Sequence, residues 1–286
     1  MSRNLLLRIA FAVVAIPLVI GVIWWGGWVL AAVLAVLGAL GTREVYDLAR
    51  RHQIDPIDGL GLTAAAALPL ATYWAKGSEL RWAEPALFIG AIWVLVIMTL
   101  ALRVRGPDRR PLAAVSITVF GAFYASALPS FLVAIRHGAG AGLRSWPYAV
   151  LAILPLVLTW LCDTVAMAAG NAFGGAKLAP VLSPNKTWSG AIGGFLGAVV
   201  AALVLGWWVL PRFGWQLHAG ALLAVGATVG VVGQVGDVAE SLFKREAGVK
   251  DSSALIPGHG GVLDRLDSLY FVIPAAAGLY KVLQII

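Results

Sequence analysis

Residues 241–267 read SLFKREAGVKDSSALIPGHGGVLDRLD, a polar block with a long apolar segment on either side. The whole chain is 12% charged and 60% hydrophobic, so this concentration of charge is unusual for it. Of the seven carboxylates that follow Asp108, six lie between Asp237 and Asp267. We therefore expect this block to bind something ionic, with phosphates and a metal ion as the first candidates.

The composition of the 286 residues is that of a membrane protein. Mean hydropathy is +0.87, and apolar runs of about 20 residues recur, each long enough to cross about 30 Å of hydrocarbon. The first run follows Arg3 and Arg8 as a signal peptide would, but it is too long and lacks a small-residue cleavage site, so we expect a retained helix. The single cysteine, Cys162, excludes an intrachain disulfide and a cysteine metal cluster.

The sequence predicts an all-α polytopic fold of about nine transmembrane helices. Their predicted ranges are 5–25, 28–42, 57–75, 85–103, 111–135, 147–169, 187–210, 216–240 and 264–285. With these ranges, 15 of the 21 lysine and arginine residues fall on the side of the N-terminus and the polar block. Because positive residues are enriched in cytoplasmic loops, we expect the N-terminus and the polar block to face the cytoplasm. A bacterial inner membrane fits this arrangement, and an organellar membrane stays open.

The distribution of charge also divides the chain. The net charge of +7 is explained by the sorting of positive residues and by attraction to anionic lipids, so nucleic-acid binding is not needed to account for it. Carboxylates are absent from 164–236 and then cluster. We expect residues 1–140 to form a scaffold of transmembrane helices and residues 141–286 to form a catalytic region with its site at the cytoplasmic face.

One aspartate, Asp163, lies inside a predicted span. An ionised group at membrane depth is costly, so we expect Asp163 to face a polar cavity and to have a partner. The alternative is an aspartate at a helix end, hydrated among the lipid headgroups.

A polar stripe ends the predicted helix 216–240. Asp237, Glu240, Ser241 and Lys244 follow the spacing i, i+3, i+4 and i+7, so they share one helical face, which we expect to point into the bundle. Carboxylates on a rigid helix suit Mg²⁺, which binds one or two carboxylates together with substrate phosphates. In the alternative interpretation, Lys244 and Arg245 are topology anchors with the acidic residues as salt-bridge partners.

Two glycine-containing segments are candidates for binding phosphate. In the first, His259-Gly260-Gly261 precedes Asp264 and Asp267 at a predicted helix start, where backbone N–H groups favour an anion. The two aspartates either share a metal or cap the helix. The second segment runs from Gly170 to Lys177 and continues at Ser183-Pro184-Asn185-Lys186-Thr187, with Lys186 as a point charge and Thr187 as a hydroxyl donor. A plain interhelix loop is the alternative for this second segment.

The polar block resembles the signature of the CDP-diacylglycerol synthases, also called phosphatidate cytidylyltransferases. The matching residues are Ser241, Lys244, Arg245, Lys250, Asp251, Ser253, Ile256, Pro257, His259, Gly260, Gly261, Asp264, Arg265 and Asp267. The resemblance extends upstream over roughly 160–267, with departures at Met167, Asn171 and Gly175-Ala176 that bear on nucleotide contacts in that loop. It implies transfer of the cytidylyl group of CTP to phosphatidic acid, which gives CDP-diacylglycerol and pyrophosphate.

The resemblance also implies roles for these residues. The expected cofactor is Mg²⁺, in a two-metal or mixed-metal site, and the expected partners are CTP, phosphatidic acid, membrane lipids and a second copy in a homodimer. Asp237 and Asp264 are the first choice as metal ligands, with Asp163, Asp267 and Glu240 as further ones. Catalytic roles are implied for Asp237, Asp264, Lys250, Asp251, His259 and Arg265. Substrate binding is implied for Lys177, Ser183, Asn185, Lys186, Thr187, Ser241, Lys244, Arg245, Gly260 and Gly261.

Two other classes of protein compete with this interpretation. A transporter or channel also carries charge inside the membrane, but it predicts polar residues in several spans and helices broken at mid-bilayer. Here the charges gather at one end of a few spans. A different lipid nucleotidyltransferase or a polyprenol kinase uses similar phosphate chemistry, and only substrate tests separate it from the first hypothesis.

Overall fold

The computed structural model describes residues 3–77, 83–104, 106–138, 142–256, 258 and 260–286, with side chains from residue 13 onward except those of 83–85. The described residues form a bundle of helices with one small hairpin. The helices are α1 Arg3–Trp25, α2 Gly27–Arg50, α3 Asp58–Lys76, α4 Ala83–Val104, α5 Pro111–Ala122, α6 Leu128–Arg136, α7 Trp146–Phe173, α8 Trp188–Trp208, α9 Ala219–Glu246, α10 Leu263–Leu266 and α11 Leu269–Val282. The strands are β1 Lys177–Ala179 and β2 Ser183–Thr187.

Three short helical segments connect these elements. A π-helical segment, Phe123–Ala127, joins α5 to α6, so that the two form one continuous rod. Single 3₁₀ turns lie at Pro107–Arg109 and Leu210–Phe213. Proline begins or nearly begins both turns, as expected for a residue whose backbone nitrogen donates no hydrogen bond.

Six stretches of the described chain are long and apolar enough to cross a membrane. They are Gly27–Arg50, Ala86–Val104, Pro107–Arg136, Trp146–Phe173, Trp188–Trp208 and Ala219–Glu246. The prediction of a helical, multi-pass membrane protein is therefore confirmed. The other three predicted spans correspond to α1, α3 and the α10–α11 region, which are helical but do not qualify within the described residues, so the number nine stays a prediction.

Helix α4 lies at the edge of the bundle. Its side chains include Leu87, Phe88 and Leu102, which are 75%, 69% and 85% exposed. An apolar helix with so much exposed surface is stable only where lipid tails surround it.

Helices α7, α8 and α9 pack closely through glycines. A Cβ atom at Gly193 would come within 2.5 Å of the Cβ of Ala169, and one at Gly226 within 2.7 Å of the Cα of Val199. Small residues spaced four apart along α8 and α9 permit this close approach of the helices.

The structure departs from the predicted boundaries in ways that affect the polar block. Helix α9 continues to Glu246, six residues past its predicted end, so the whole polar stripe lies on one rigid helix. The final helix is interrupted after Leu266, because the carboxylate of Asp267 accepts the backbone N–H of Ser268 at 2.7 Å and competes with the helical bonding. The segment 177–187 was expected to be a loop entering a helix, and it forms the antiparallel β1–β2 hairpin instead.

A sharp turn joins α1 to α2 near the start of the chain. Gly26 and Gly27 both have positive φ there, which glycine adopts without strain. The buried guanidinium of Arg136 donates to the carbonyl oxygens of Ile23 and Trp24 at 2.7 and 2.8 Å. The neighbouring His137 accepts the N–H of Gly27 on its Nε2 at 2.9 Å, so it must be neutral on that nitrogen.

We expect His137 to make the stability of the fold depend on pH. Burial, and then the charges of Arg136 and Lys76, lower the pKa of His137 to about 4, whereas an unfolded histidine has a pKa of about 6.5. The unfolded chain therefore binds the extra proton first, and stability falls as the pH drops from about 6.5 toward 4. Over the range from pH 6.5 to pH 5 this amounts to about 2 kcal/mol.

The measurement is thermal unfolding of the detergent-solubilised protein at several pH values, beside the variant His137→Gln. The variant removes the titrating group and is less stable at pH 7.5. Its disadvantage relative to the unmodified protein should shrink as the pH falls to 5. A difference that stays constant over this range would contradict the assignment.

Candidate active site

The polar stripe of α9 points into the bundle, as predicted. Glu240, Ser241 and Lys244 are buried, and Asp237 is half-buried. The stripe does not form a single site, however. Asp237 pairs with a residue of the hairpin, whereas Glu240 and Lys244 turn toward the loop between α9 and α10.

The first of the two groups is an aspartate cluster formed by Asp163 of α7, Asp237 of α9 and Asp267 before α11, with Lys186 of β2. Lys186 Nζ lies 2.5 Å from a carboxylate oxygen of Asp237. Asp163 lies close enough to Asp237 and Lys186 for their charges to act on it. Asp267 lies close enough to Asp237 and Asp163 for the same reason. Three separate segments of the chain thus bring their carboxylates to one place.

The electrostatics of the aspartate cluster favour a cation. Burial, and then the negative charge of Asp237, raise the pKa of Asp267 to about 7. Lys186 is the one basic side chain that forms an ion pair with the cluster in the described part of the chain. Burial and repulsion from the neighbouring carboxylates thus both favour the neutral form of Asp267, and a second positive charge would relieve the repulsion.

The cluster is not a preformed metal cage. Among the described residues, no three His, Cys, Asp or Glu side chains are arranged so that they could hold a metal ion. Mg²⁺ does not require such a cage, because it usually keeps waters and takes one or two carboxylates together with substrate phosphates. The carboxylate of Asp237, half-exposed and paired with only one lysine, fits that mode of binding.

The second group is an ion network around Lys244. Its Nζ lies 2.6 Å from Asp264 Oδ1 and 3.1 Å from Glu240 Oε1. All three residues are buried. A buried charge is stable only when it is paired, so this lysine and its two carboxylates depend on one another.

The second carboxylate oxygen of Asp264 accepts hydrogen bonds from the loop that precedes it. Oδ2 accepts hydrogen bonds from Ser252 N, Ser252 Oγ and Gly261 N, each at 2.8 Å. Burial by itself would raise the pKa of Asp264, but these bonds and the Lys244 ammonium hold it below its usual range. The residue is therefore ionised at neutral pH and anchors the loop, and a metal ligated there would have to displace these contacts.

Sequence analysis missed Glu44, a residue of α2 that completes the same loop. Its carboxylate accepts a hydrogen bond from Ser253 Oγ at 2.7 Å and lies 2.8 Å from Ser252 Oγ, whose single hydroxyl proton is shared between Glu44 and Asp264. It also accepts the backbone N–H groups of Val262 and Leu263 at 3.0 and 2.9 Å. Glu44 thus ties both ends of segment 252–263 to a helix of the predicted scaffold region.

A signal for Glu44 is present in the sequence. Gly41, Glu44 and Leu48 lie on one face of α2, and all three are buried. A carboxylate on an otherwise apolar helical face has to find hydrogen-bond donors inside the protein. The prediction that residues 1–140 form only a scaffold gave Glu44 no role in the site, although Glu44 binds segment 252–263.

The glycines of the loop are required for steric reasons. Gly260 has a φ of +78°, which is left-handed backbone that favours glycine. A Cβ atom at Gly261 would clash with Ser252 Oγ and with both carboxylate oxygens of Glu44. These two glycines therefore let the backbone approach the Glu44 and Asp264 carboxylates. The predicted site residue His259, which precedes them in sequence, lies outside the described residues.

The β1–β2 hairpin positions the remaining predicted phosphate-binding residues. Lys177 pairs with Thr187 across the hairpin, which places Lys186 beside Asp237. Thr187 is buried, and its Oγ1 accepts the N–H of Gly190, so it caps α8 and does not point into an open pocket. Arg245 of α9 donates to the carbonyl oxygen of Leu182, which ties the hairpin to the end of α9.

Most of the other predicted site residues are exposed. Ser183 is half-buried, and the exposed ones are Lys177, Asn185, Arg245, Lys250, Asp251 and Arg265. Four of them, Lys177, Arg245, Lys250 and Arg265, are basic. Exposed positive side chains of this kind suit contacts with a polyanion arriving from water.

Comparison with known proteins bears on this site. A sequence profile of the cytidylyltransferase family matches residues 6–283. A phosphatidate cytidylyltransferase of Synechocystis sp. is 33% identical over 287 residues, which cover 93% of each chain. The chain belongs to the cytidylyltransferase family.

Other relatives of this cytidylyltransferase-family chain carry the same name. A phosphatidate cytidylyltransferase of Brucella abortus is 36% identical over 250 residues, covering 78% of this chain and 84% of the relative. The chloroplastic phosphatidate cytidylyltransferase 4 of Arabidopsis thaliana is 33% identical over 300 residues, covering 96% and 73% respectively. The family resemblance found in residues 160–267 is confirmed, and it extends to the N-terminal helices, including α2 with Glu44.

We expect Glu44→Gln to loosen the loop of the active site without unfolding the bundle. The amide has one acceptor oxygen in place of two, and its NH₂ group would face backbone donors. Losing charged hydrogen bonds of this kind costs about 2–4 kcal/mol locally. Hydrogen–deuterium exchange of the peptide covering 250–263 should therefore rise, and turnover should fall by about tenfold or more.

Asp47→Asn is the matched control, because it removes one negative charge from the same helix. The side chain of Asp47 is exposed and forms an ion pair with Arg50. Exchange and turnover should stay unchanged in that variant. If exchange of 250–263 is the same in both variants, Glu44 does not hold the loop.

Proposed function

We propose that this chain transfers the cytidylyl group of CTP to phosphatidic acid. A phosphate oxygen of phosphatidic acid attacks the α-phosphorus of CTP, the bond from that phosphorus to the bridging oxygen of the β-phosphate breaks, and pyrophosphate leaves. The product is CDP-diacylglycerol. The observation that carries this proposal is the match along residues 6–283, together with relatives that are named for this activity.

The arrangement of the site suits this reaction. The phosphate of phosphatidic acid is already a nucleophile, so no serine, histidine or cysteine nucleophile is required. The protein has to neutralise two polyanions and align them for in-line displacement. Lys186 supplies a positive charge beside Asp237, and the exposed Lys177, Arg245, Lys250 and Arg265 offer further positive charges for the phosphates.

Mg²⁺ is the cofactor we propose for the aspartate cluster. When bound there, it neutralises charge on the phosphates of CTP and polarises the phosphorus under attack. Asp237 would hold it, with Asp163 and Asp267 as neighbouring carboxylates. Asp264 and Glu240, the other two candidate ligands, have Lys244 as their partner, and we propose that they position the loop and the lysine.

The finer topology is also part of the proposal. Nine spans, with α1, α3 and α11 added to the six apolar stretches, would place the N-terminus and the polar block on the same side, and the excess of positive residues there favours the cytoplasm. This orientation brings water-soluble CTP to a site that lipid reaches from the leaflet. A bacterial inner membrane and a homodimer complete the proposed setting.

Turnover with radiolabelled CTP and phosphatidic acid tests the reaction and the cofactor together. We expect label to enter the lipid phase with Mg²⁺ and not with EDTA. Asp237→Asn should lower the rate by about 100-fold or more, because loss of a metal-site carboxylate costs at least as much as loss of its supporting contacts. Asp264→Asn should also lower it, with faster hydrogen–deuterium exchange in 250–263 that Asp237→Asn does not produce.

Asp108→Asn, on the exposed 3₁₀ turn away from both groups, is the control and should keep full activity. Binding of CTP without transfer to phosphatidic acid would assign the chain to a different lipid acceptor. Transfer that persists in EDTA, or in Asp237→Asn, would contradict the role given to the aspartate cluster.

A further inference from the structure

A cavity of about 470 Å³ lies between α2, α5 and α9, outside the aspartate cluster. Its volume falls within the range of about 300–1,000 Å³ that is typical of ligand sites. The lining is mostly apolar and includes Ala113, Phe120, Tyr124 and Leu263, with Glu240 and Glu246 as its acidic members.

The cavity connects the protein surface to the ion network. Ser116 and Phe120 are exposed at one part of its wall. Glu240 and Leu263 form another part, and they adjoin Lys244 and Asp264 respectively. An apolar passage therefore ends beside the residues that organise the loop of the active site.

Three residues of the wall, Tyr124, His52 and Glu240, carry buried polar atoms that make no hydrogen bond among the described residues. Glu240 is nevertheless paired with Lys244 as an ion pair. Tyr124 is 5% exposed, and its hydroxyl makes no hydrogen bond to any residue that the structure describes. A buried hydroxyl without a partner costs free energy, which a ligand carrying an acceptor oxygen would recover. An ester carbonyl is such an acceptor, and it is uncharged, as a site beside Glu240 requires.

We propose that this groove binds one acyl chain of phosphatidic acid, with the ester carbonyl near Tyr124 and the phosphate outside the groove. The inference rests on the proposed function for its choice of lipid. The groove itself excludes the other substrate, because an apolar wall with two glutamates repels a nucleoside triphosphate. An acyl chain with a neutral ester matches both the apolar lining and the unpartnered hydroxyl of Tyr124.

Photolabelling tests the occupant directly and requires no turnover. The probe is phosphatidic acid with a diazirine near the end of one acyl chain, added to the full-length protein in detergent micelles. We expect mass spectrometry to find label on the segments 113–124 and 243–247, and unlabelled phosphatidic acid should displace it. Label concentrated on the exposed face of α4, or label that phosphatidylcholine displaces equally well, would overturn the proposal.

Kinetics give a second test with a matched pair on α5. Ala113→Phe places a ring in the groove, whereas Leu112→Phe adds the same ring at a position that is 80% exposed and outside the lining. In Ala113→Phe we expect the KM for a long-chain phosphatidic acid to rise about tenfold, the effect of unburying two methylene groups. A dioctanoyl substrate should be affected less, and the KM for CTP should not change.

Tyr124→Phe should raise the KM for phosphatidic acid by a few fold without changing its chain-length preference. Equal chain-length profiles in Ala113→Phe and Leu112→Phe would overturn the groove assignment. Cross-links between two copies of the Ser116→Cys variant that block labelling would assign the groove to a homodimer instead. Absence of turnover in a protein whose groove is still labelled would count against the proposed reaction and leave the lipid site standing.

Discussion

The burial of three charges, Lys244, Asp264 and Glu44, is the constraint on which the polar region depends. Each residue is buried, and an unpaired charge in such surroundings would cost several kcal/mol. Lys244 is satisfied by Asp264 and Glu240, while Asp264 and Glu44 are satisfied largely by the backbone and serines of segment 252–263. The loop is held in place because the carboxylates need its donors.

Helix α9 divides the polar block into two environments. Asp237 lies one turn before Glu240, yet Asp237 is half-exposed beside Lys186 and Glu240 is fully buried beside Lys244. The difference follows from their neighbours, since Lys186 of the hairpin pairs with Asp237, whereas Glu240 lies beside Lys244 and lines the cavity wall together with Tyr124 and Leu263. A reaction between a water-soluble nucleotide and a membrane lipid needs this kind of division, with a hydrated ionic region next to an apolar one.

Much of this arrangement could be predicted from particular residues. The spacing of Asp237, Glu240, Ser241 and Lys244 predicted an inward-facing stripe, and the burial of the last three confirms it. The predicted helix 216–240 is present as well, and it continues to Glu246. The division of labour among carboxylates was not predictable, because Asp264 and Asp267 are one turn apart in sequence and end with different partners.

The sequence by itself determined that the chain is a multi-pass helical membrane protein with the cytidylyltransferase signature, because hydropathy and a long pattern of polar residues are local properties. Only the tertiary structure decided which carboxylates meet. Glu44 lies more than 200 positions before Ser252, Val262 and Leu263, and Lys186 reaches Asp237 only because the hairpin folds back between α7 and α8. Contacts at such separations depend on how helices pack, and no local pattern of residues encodes them.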